Sequence, residues 1–246
     1  MIIYGINPIL EALRAKRVRA VRVADNAGGR VAEIVRAAER DGIEVRRVRP
    51  AELDRAARGG VHQGVVAELV AAAPLDIADL LTGAAAPLLV VLDGVEDPQN
   101  LGAILRTVDA AGADGVVRQS RHAAPLDGAA AKASAGAVAH VKVVEVVNIA
   151  RAVEELKEAG VWTVGLAADA SKSYDELDLT LPTAVVVGAE GAGLRRLVRD
   201  RCDLLASIPM RGHVDSLNVS VATSIVLFEA LRQRRAQRQS EPHPSS

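Results

Sequence analysis

The sequence is poor in aromatic residues and in sulfur: Tyr4, Trp162, Tyr174 and Phe228 are its only aromatics, and Cys202 is its only cysteine. So small a set excludes a platform that reads single-stranded RNA by stacking bases on aromatic faces. A lone cysteine excludes an internal disulfide framework and cannot by itself make a thiolate zinc site. His62, His122, His140, His213 and His243 fall at no ligand spacing, so no metal is expected. No apolar run approaches the ~20 residues needed to span a bilayer. The opening stretch, MIIYGINPILEALRAKR, has no positive leader ahead of a long apolar segment. The expectation is a soluble, cytoplasmic protein with no membrane partner.

What is present is a chain of 246 residues, half of them hydrophobic and a quarter charged. That is enough to bury a core in one large domain or two modest ones. The net charge of −1 hides an uneven distribution. Residues 1–73 hold 13 Lys/Arg against 9 Asp/Glu, residues 74–231 hold 13 against 21, and residues 232–246 hold 4 against 1. The basic excess at the N-terminal end is almost entirely Arg, whose planar fork suits phosphates. A basic region supplies the sequence-independent part of nucleic-acid affinity. A solvated helix face accounts for the same charges, so charge alone leaves both readings open.

Helix and strand patterns alternate from the start. Asn7-Pro8 opens a helix to about Lys16, with Asn7 as cap and Pro8 in the first helical position. Ala20–Ala24, Ile43–Val48 and Gly64–Val70 read as strands. Arg30–Arg40 reads as a helix with Val31, Ile34, Val35 and Ala38 on one face, stopped by Asp41-Gly42. Pro50–Arg58 reads as a helix. Residues 1–72 thus form a small α/β domain of about three strands, and residues 73–86, Ala-rich with a short apolar segment Ile77–Leu81, form a linker. From Leu88 a second series begins: strands at Leu88–Leu92, Gly115–Arg118, Val141–Val147, Val161–Ala167, Ala184–Gly188 and Leu204–Ile208. Helices are expected at Asn100–Ala111, Leu126–Ala135, Ile149–Ala159, Leu194–Arg201 and Leu217 to about Arg234. Strands separated by helices imply a parallel sheet covered on both faces. The catalytic part spans residues 87–233, and residues 234–246 carry no apolar face and should be disordered.

Three loops at the ends of buried strands are the candidate site, because open α/β sheets bind ligands at the carboxyl ends of their strands. The first, Asp93 to Gly102, runs into a helix that carries Asn100 and Arg106; taken alone, an N-cap and a surface arginine are the simpler explanation of these two. The second, Val185 to Leu194, has three glycines that let the backbone turn sharply and approach a ligand. Its G-x-x-G-x-G spacing is not that of a dinucleotide turn, and no P-loop lysine follows, which disfavours a nicotinamide cofactor. Glu190 inside this turn is less easily explained by packing than a helical glutamate would be. The third, Ile208 to Ala222, places polar Ser216, Asn218 and Ser220 ahead of an apolar helix. Ser216 is the expected cap, with Asn218 in the first turn.

Taken in order, LDGVEDPQNLGAILRT, VVVGAEGAGL and SIPMRGHVDSLNVSVA resemble the three motifs of the SpoU/TrmH family of RNA ribose 2′-O-methyltransferases, within the SPOUT superfamily. The similarity spans roughly residues 87–233, and YGINPILEAL and VHQGVVA look like the family's L30e-like RNA-binding extension. The members it most resembles act on the ribose 2′-hydroxyl of a guanosine in 23S rRNA. The resemblance implies an α/β fold whose C-terminal SPOUT domain has a parallel sheet with a trefoil knot. It also implies a homodimer, RNA rather than DNA as partner, and S-adenosyl-L-methionine as methyl donor without a metal. It places the donor pocket on Leu166, Ala167, Gly188, Ala189, Gly191, Ile208, Met210 and Leu217. The acting residues it implies are Asn100, Arg106, Glu190, Ser216 and Asn218. Family members often read Glu and Pro where this chain has Ala139 and Lys142.

The implied reaction is an in-line displacement by the ribose 2′-oxygen, and alignment is worth several kcal/mol. A guanidinium is protonated essentially always, so Arg106 suits stabilisation of a developing alkoxide better than general-base work. Asn100 and Asn218 would hold the nucleotide or position Arg106, and Glu190 would orient one of them. Lys132 and Ser134 are candidates for RNA contact or a plain amphipathic helix, while Cys202 and Met210 fit packing roles. The alternatives are a ribose methyltransferase acting on tRNA or another rRNA site, a catalytically silent RNA-binding assembly factor, and a dinucleotide oxidoreductase.

Overall fold

The computed structural model describes residues 1–71, 73–121 and 123–240, so His122 and His243 lie outside the described residues. The chain opens with β1 (Ile2–Tyr4), α1 (Ile6–Arg14), β2 (Val18–Ala24), α2 (Arg30–Arg40), β3 (Glu44–Val48), α3 (Pro50–Ala56) and β4 (Val65–Leu69). It continues with α4 (Ile77–Leu81), β5 (Leu88–Asp93), α5 (Pro98–Ala111), β6 (Gly115–Gln119), α6 (Gly128–Ala133) and β7 (Val143–Val146). It ends with α7 (Ile149–Glu158), β8 (Trp162–Leu166), β9 (Lys172–Ser173), β10 (Thr183–Gly188), α8 (Arg196–Arg201), β11 (Leu204–Ser207) and α9 (Val219–Ser240). The chain divides into two compact units: Met1–Ala73 with Asp97–Arg106 and Ala124–Val141, and Pro74–Glu96 with Thr107–Ala123 and Lys142–Ser246.

The first unit is built on a four-stranded sheet in the order β1-β4-β2-β3. Four strands replace the expected three, because Ile2–Tyr4 pairs antiparallel with β4. A strand of three residues at the chain start carries too little alternation to be read from sequence. Helix α2 buries Val31, Ile34 and Ala38, and Gly42, at φ +69°, follows its end as anticipated. Helix α1 is capped differently from expectation. Its N-cap position is Gly5, which makes no side-chain cap bond, while Asn7 and Pro8 lie within the first turn. Gly5 adopts φ +92°, a conformation open to glycine and strained for a residue with a Cβ. Gln63 Oε1 accepts the Ile6 N–H at 3.0 Å, so a side chain distant in sequence satisfies one of the helix's orphan donors. Helix α6 is six residues long, shorter than the expected Leu126–Ala135, and begins after Asp127 with Gly128 at φ +53°.

The second unit is a seven-stranded sheet in the order β7-β6-β5-β10-β8-β11-β9, with every pairing parallel. Strands β5 and β10 are buried at every residue, which is why each is apolar at all but one position, Asp93 and Thr183 being the exceptions. On one face Leu89, Val91, Val117, Val144, Ala184 and Val186 pack with Ile149, Val153 and Leu156 of α7 and Val198 of α8. Truncating a fully buried leucine here, such as Leu156, costs about 2–5 kcal/mol. The segment Ile77–Leu81, expected within a linker, is a helix whose Ile77 and Leu80 enter this same core. Asp76 and Asp79 form a reciprocal capping box at its start, and Lys142 Nζ donates to the Asp79 carbonyl at 3.1 Å.

Helix α9 begins two residues later than Leu217 and runs to Ser240, through residues expected to be disordered from 234 onward. Arg234 explains the extension. Its guanidinium donates to the carbonyls of Leu179, Ala86 and Leu181 at 2.9, 2.6 and 2.9 Å. Gln233 adds a bond to the Leu177 carbonyl and accepts the Leu179 N–H. Three carbonyls satisfied by one side chain anchor a turn that has no apolar face. Among the described residues, no helix is long and apolar enough to cross a membrane.

Candidate active site

The carboxyl ends of β8, β10 and β11 lead into loops that surround a cavity of about 640 Å³ in the second unit. Its walls combine apolar Leu166, Ala206, Ile208, Leu217 and Ala222 with polar Asp169, Glu190, Ser216 and Asn218. The cavity therefore suits a flat apolar ring at one part and a charged group at another.

The glycine loop gives the cavity its shape. A Cβ on Gly188 would stand 2.0 Å from the Gly193 carbonyl carbon and 2.3 Å from the Leu194 nitrogen, so only glycine fits at the end of β10. The chain turns back on itself there: Gly193 N–H donates to the Ala189 carbonyl at 2.8 Å. Gly191 and Gly193 take φ of +77° and +66°, which explains their residue type.

The turn is held from below by a residue that sequence reasoning did not single out. Asp93, the last residue of β5, is wholly buried. Its carboxylate accepts the Arg195 backbone N–H at 2.8 Å and Arg195 Nε at 2.6 Å. Arg195 also donates to Gln119 Oε1 at 3.0 Å, tying the loop to the end of β6. The available signal was an aspartate closing a fully buried apolar strand, where a charge is tolerated only when paired. Arg195 also delays α8, which starts at Arg196 rather than Leu194.

The third loop enters α9 through Asn218. Its Oδ1 accepts the Ser220 N–H at 2.9 Å and the Ser220 hydroxyl at 2.6 Å, so Asn218 rather than Ser216 is the cap. Its amide nitrogen donates to Glu190 Oε1 at 3.1 Å, which joins the second and third loops. On the rim, Arg199 clasps Asp169 through two bonds of 2.9 Å and holds that carboxyl below the usual range. Deeper in the unit, burial pushes the Cys202 thiol up to about 12, leaving a protonated packing residue as expected.

Of the expected site residues, Leu166, Ala167, Gly188, Ala189, Gly191, Ile208, Met210 and Leu217 all line this one cavity, together with Glu190, Ser216 and Asn218. Asn100 and Arg106 belong to the other compact unit. There Asp97, not Asn100, caps α5: its carboxylate accepts the Gln99 N–H at 3.0 Å and the Asn100 N–H at 3.4 Å, with Pro98 in the first helical position. Asn100 is buried in that first turn, and Arg106 is exposed six residues further on. Among the described residues, no group of three His, Cys, Asp or Glu side chains is arranged to hold a metal ion.

A cavity at the strand ends of a parallel α/β sheet, floored by a glycine turn, marks an α/β protein that binds a small organic ligand. The chain belongs to the SpoU rRNA methylase family, which it matches over residues 87–228. Residues 2–75 match the family described as RNA 2′-O ribose methyltransferase substrate binding. Similar curated proteins include the 23S rRNA (guanosine-2′-O-)-methyltransferases RlmB of Photobacterium profundum and Pseudomonas syringae pv. tomato. The first is 43% identical, covering 95% of this chain and 98% of its own. The second is 44% identical, covering 96% and 97%. Among solved structures, the SpoU methyltransferase AviRb from Streptomyces viridochromogenes in complex with the cofactor AdoMet superposes with a TM-score of 0.80 at 29% identity, over 96% of this chain and 91% of that one.

Proposed function

We propose that this protein transfers a methyl group from S-adenosylmethionine to the ribose 2′-hydroxyl of a guanosine in 23S rRNA. The observation that carries the reading is the cavity that gathers Leu166, Gly188, Ile208, Met210 and Leu217 on its walls. The residues fit such a donor. The apolar wall of Leu166, Ile208 and Leu217 takes a flat base, and glycine at position 188 lets the turn beside that wall fold back on itself. The carboxylate of Glu190 suits a cationic, hydroxyl-bearing molecule, while that of Asp169 is already held by Arg199. S-adenosylmethionine, when bound, supplies an electrophilic methyl on a sulfonium. The apolar wall would exclude water from a bound donor, and the Glu190–Asn218 bond joins the two loops that line the cavity.

Asn100 and Arg106 are assigned the acceptor side by the motif that carries them. Arg106 stabilises the developing alkoxide as a fixed cation rather than accepting the proton. The protein works as a homodimer in the cytoplasm, with the trefoil knot of its family. Support for self-association lies on α9, where Val221 and Phe228, seven residues apart on one helical face, are both about half exposed.

The test is incubation of the purified protein with radiolabelled donor and either unmodified 23S rRNA or tRNA. Label in 23S rRNA that disappears in Arg106→Ala is the expected result. Label in tRNA alone would overturn the substrate, and donor binding without transfer to any RNA would overturn the enzymatic reading.

A further inference from the structure

The sheet of the first unit has two ends, and three cations at one of them bond to neutral acceptors rather than to carboxylates. Register defines the ends: Tyr4 lies opposite Val66, Val23 opposite Val65, and Ala24 beside Val48. The C-terminal ends of β1, β2 and β3 therefore meet the start of β4. Toward the opposite end four arginines face carboxylates, while Lys16 and Arg17 form no ion pair among the described residues. Arg19 lies 3.3 Å from Glu68, Arg46 2.6 Å from Glu44 and Arg40 3.3 Å from Asp41, and Arg14 pairs with Glu11.

At the first end the acceptors are neutral. Arg30 Nη2 donates to Asn7 Oδ1 at 3.0 Å, Arg47 Nη1 to the Asp25 carbonyl at 3.4 Å, and Lys132 Nζ to the Val61 carbonyl at 3.5 Å. The carboxylates nearby are Asp25, Glu33, Glu52, Asp54 and Asp127. Glu52 lies 3.9 Å from Arg49, and Asp54 holds His62 at 3.0 Å. All three cations are exposed. Each is thus oriented by a dipole that leaves its charge uncompensated, the arrangement that lets a cation meet an external anion without first breaking an ion pair.

We propose that this end of the first unit's sheet grips the RNA backbone, with Arg30, Arg47 and Lys132 bound to phosphodiester oxygens. The proposal rests on the RNA-substrate reading above and adds the face and the residues. Contacts of this kind position the RNA and raise affinity without reading its sequence.

The test measures binding of the full-length protein to a fragment of unmodified 23S rRNA between about 50 and 200 mM salt. Each lost phosphate contact lowers the slope of log affinity against log salt by about 0.7–0.9. Arg30→Gln with Arg47→Gln should therefore lower it by about 1.4–1.8, so the variant's deficit shrinks about tenfold across that range. Arg14→Gln with Arg19→Gln, which removes the same formal charge at the other end, should leave the slope unchanged. Lys132→Gln alone should lower it by one contact's worth, which guards against a double variant that folds poorly. Equal slopes in the two double variants, or no change in the first, would overturn the proposal. A wild-type protein that binds donor but no RNA would instead overturn the substrate reading, and would do so before any variant is compared.

Discussion

Asp93→Asn tests how the glycine turn is held. In the native protein the buried carboxylate accepts two bonds from Arg195, at 2.8 Å from its N–H and 2.6 Å from Nε. Hydrogen bonds to a charged group are worth about 1.5–3 kcal/mol each. An asparagine keeps one acceptor oxygen and turns an NH₂ group toward the other donor, so one bond is lost and two donors are left facing each other. The Arg195 side chain is 53% exposed, and solvent screens part of that loss. The expected cost is about 2–3 kcal/mol, most of it felt as loosening of the Gly191–Arg195 turn. Since about 1.4 kcal/mol is tenfold in affinity, titration calorimetry with S-adenosylmethionine should show Kd raised about 10- to 100-fold. Undiminished donor affinity alongside a lowered Tm would refute the reasoning, because Asp93 would then serve the core and not the cavity.

Other predictions follow from single residues. Gly188→Ala places a methyl against Gly193 and Leu194 backbone, so donor binding should fall below detection in the same titration while far-ultraviolet circular dichroism stays native. Asn218→Ala removes the α9 cap and the Glu190 bond; it should cost about 1 kcal/mol in denaturant unfolding and lower the methyl-transfer rate as well. Arg118 is buried with Nε 3.5 Å from Glu145, and burial pushes its pKa down; Arg118→Met should be neutral or stabilising by about 1–2 kcal/mol in thermal melts, as replacement of imperfectly paired buried charges often is. Burial, the largest single influence on Asp203, raises its pKa, but the Thr163 and Lys157 bonds together hold it below the usual carboxylate range. Its stabilisation is therefore complete above that range and lost as pH falls through the lowered value, so Asp203→Asn should flatten the acid side of the stability–pH curve.

The sheet strands were the most legible part of the fold. Leu88–Leu92 and Ala184–Gly188 are apolar at nearly every position, as a strand covered on both faces requires. The cavity was legible through Gly188, Gly191 and Gly193, because three glycines closing a buried strand mark a sharp turn rather than a packed element. Caps were not: Gly5, Asp97 and Asn218 hold the positions expected of Asn7, Asn100 and Ser216, because a residue two or three places away can start the same helix. Asp93 and Arg195 lie 102 residues apart, and no local pattern pairs them. Arg234 was hidden for the same reason, its three carbonyls coming from loops far earlier in the chain.

The most direct test of the central claim is nucleoside analysis of 23S rRNA after reaction with the protein and S-adenosylmethionine. The account predicts one new 2′-O-methylguanosine, with the adjoining phosphodiester bond resistant to alkali. A methyl group found on a base, with the ribose unmodified, would contradict it.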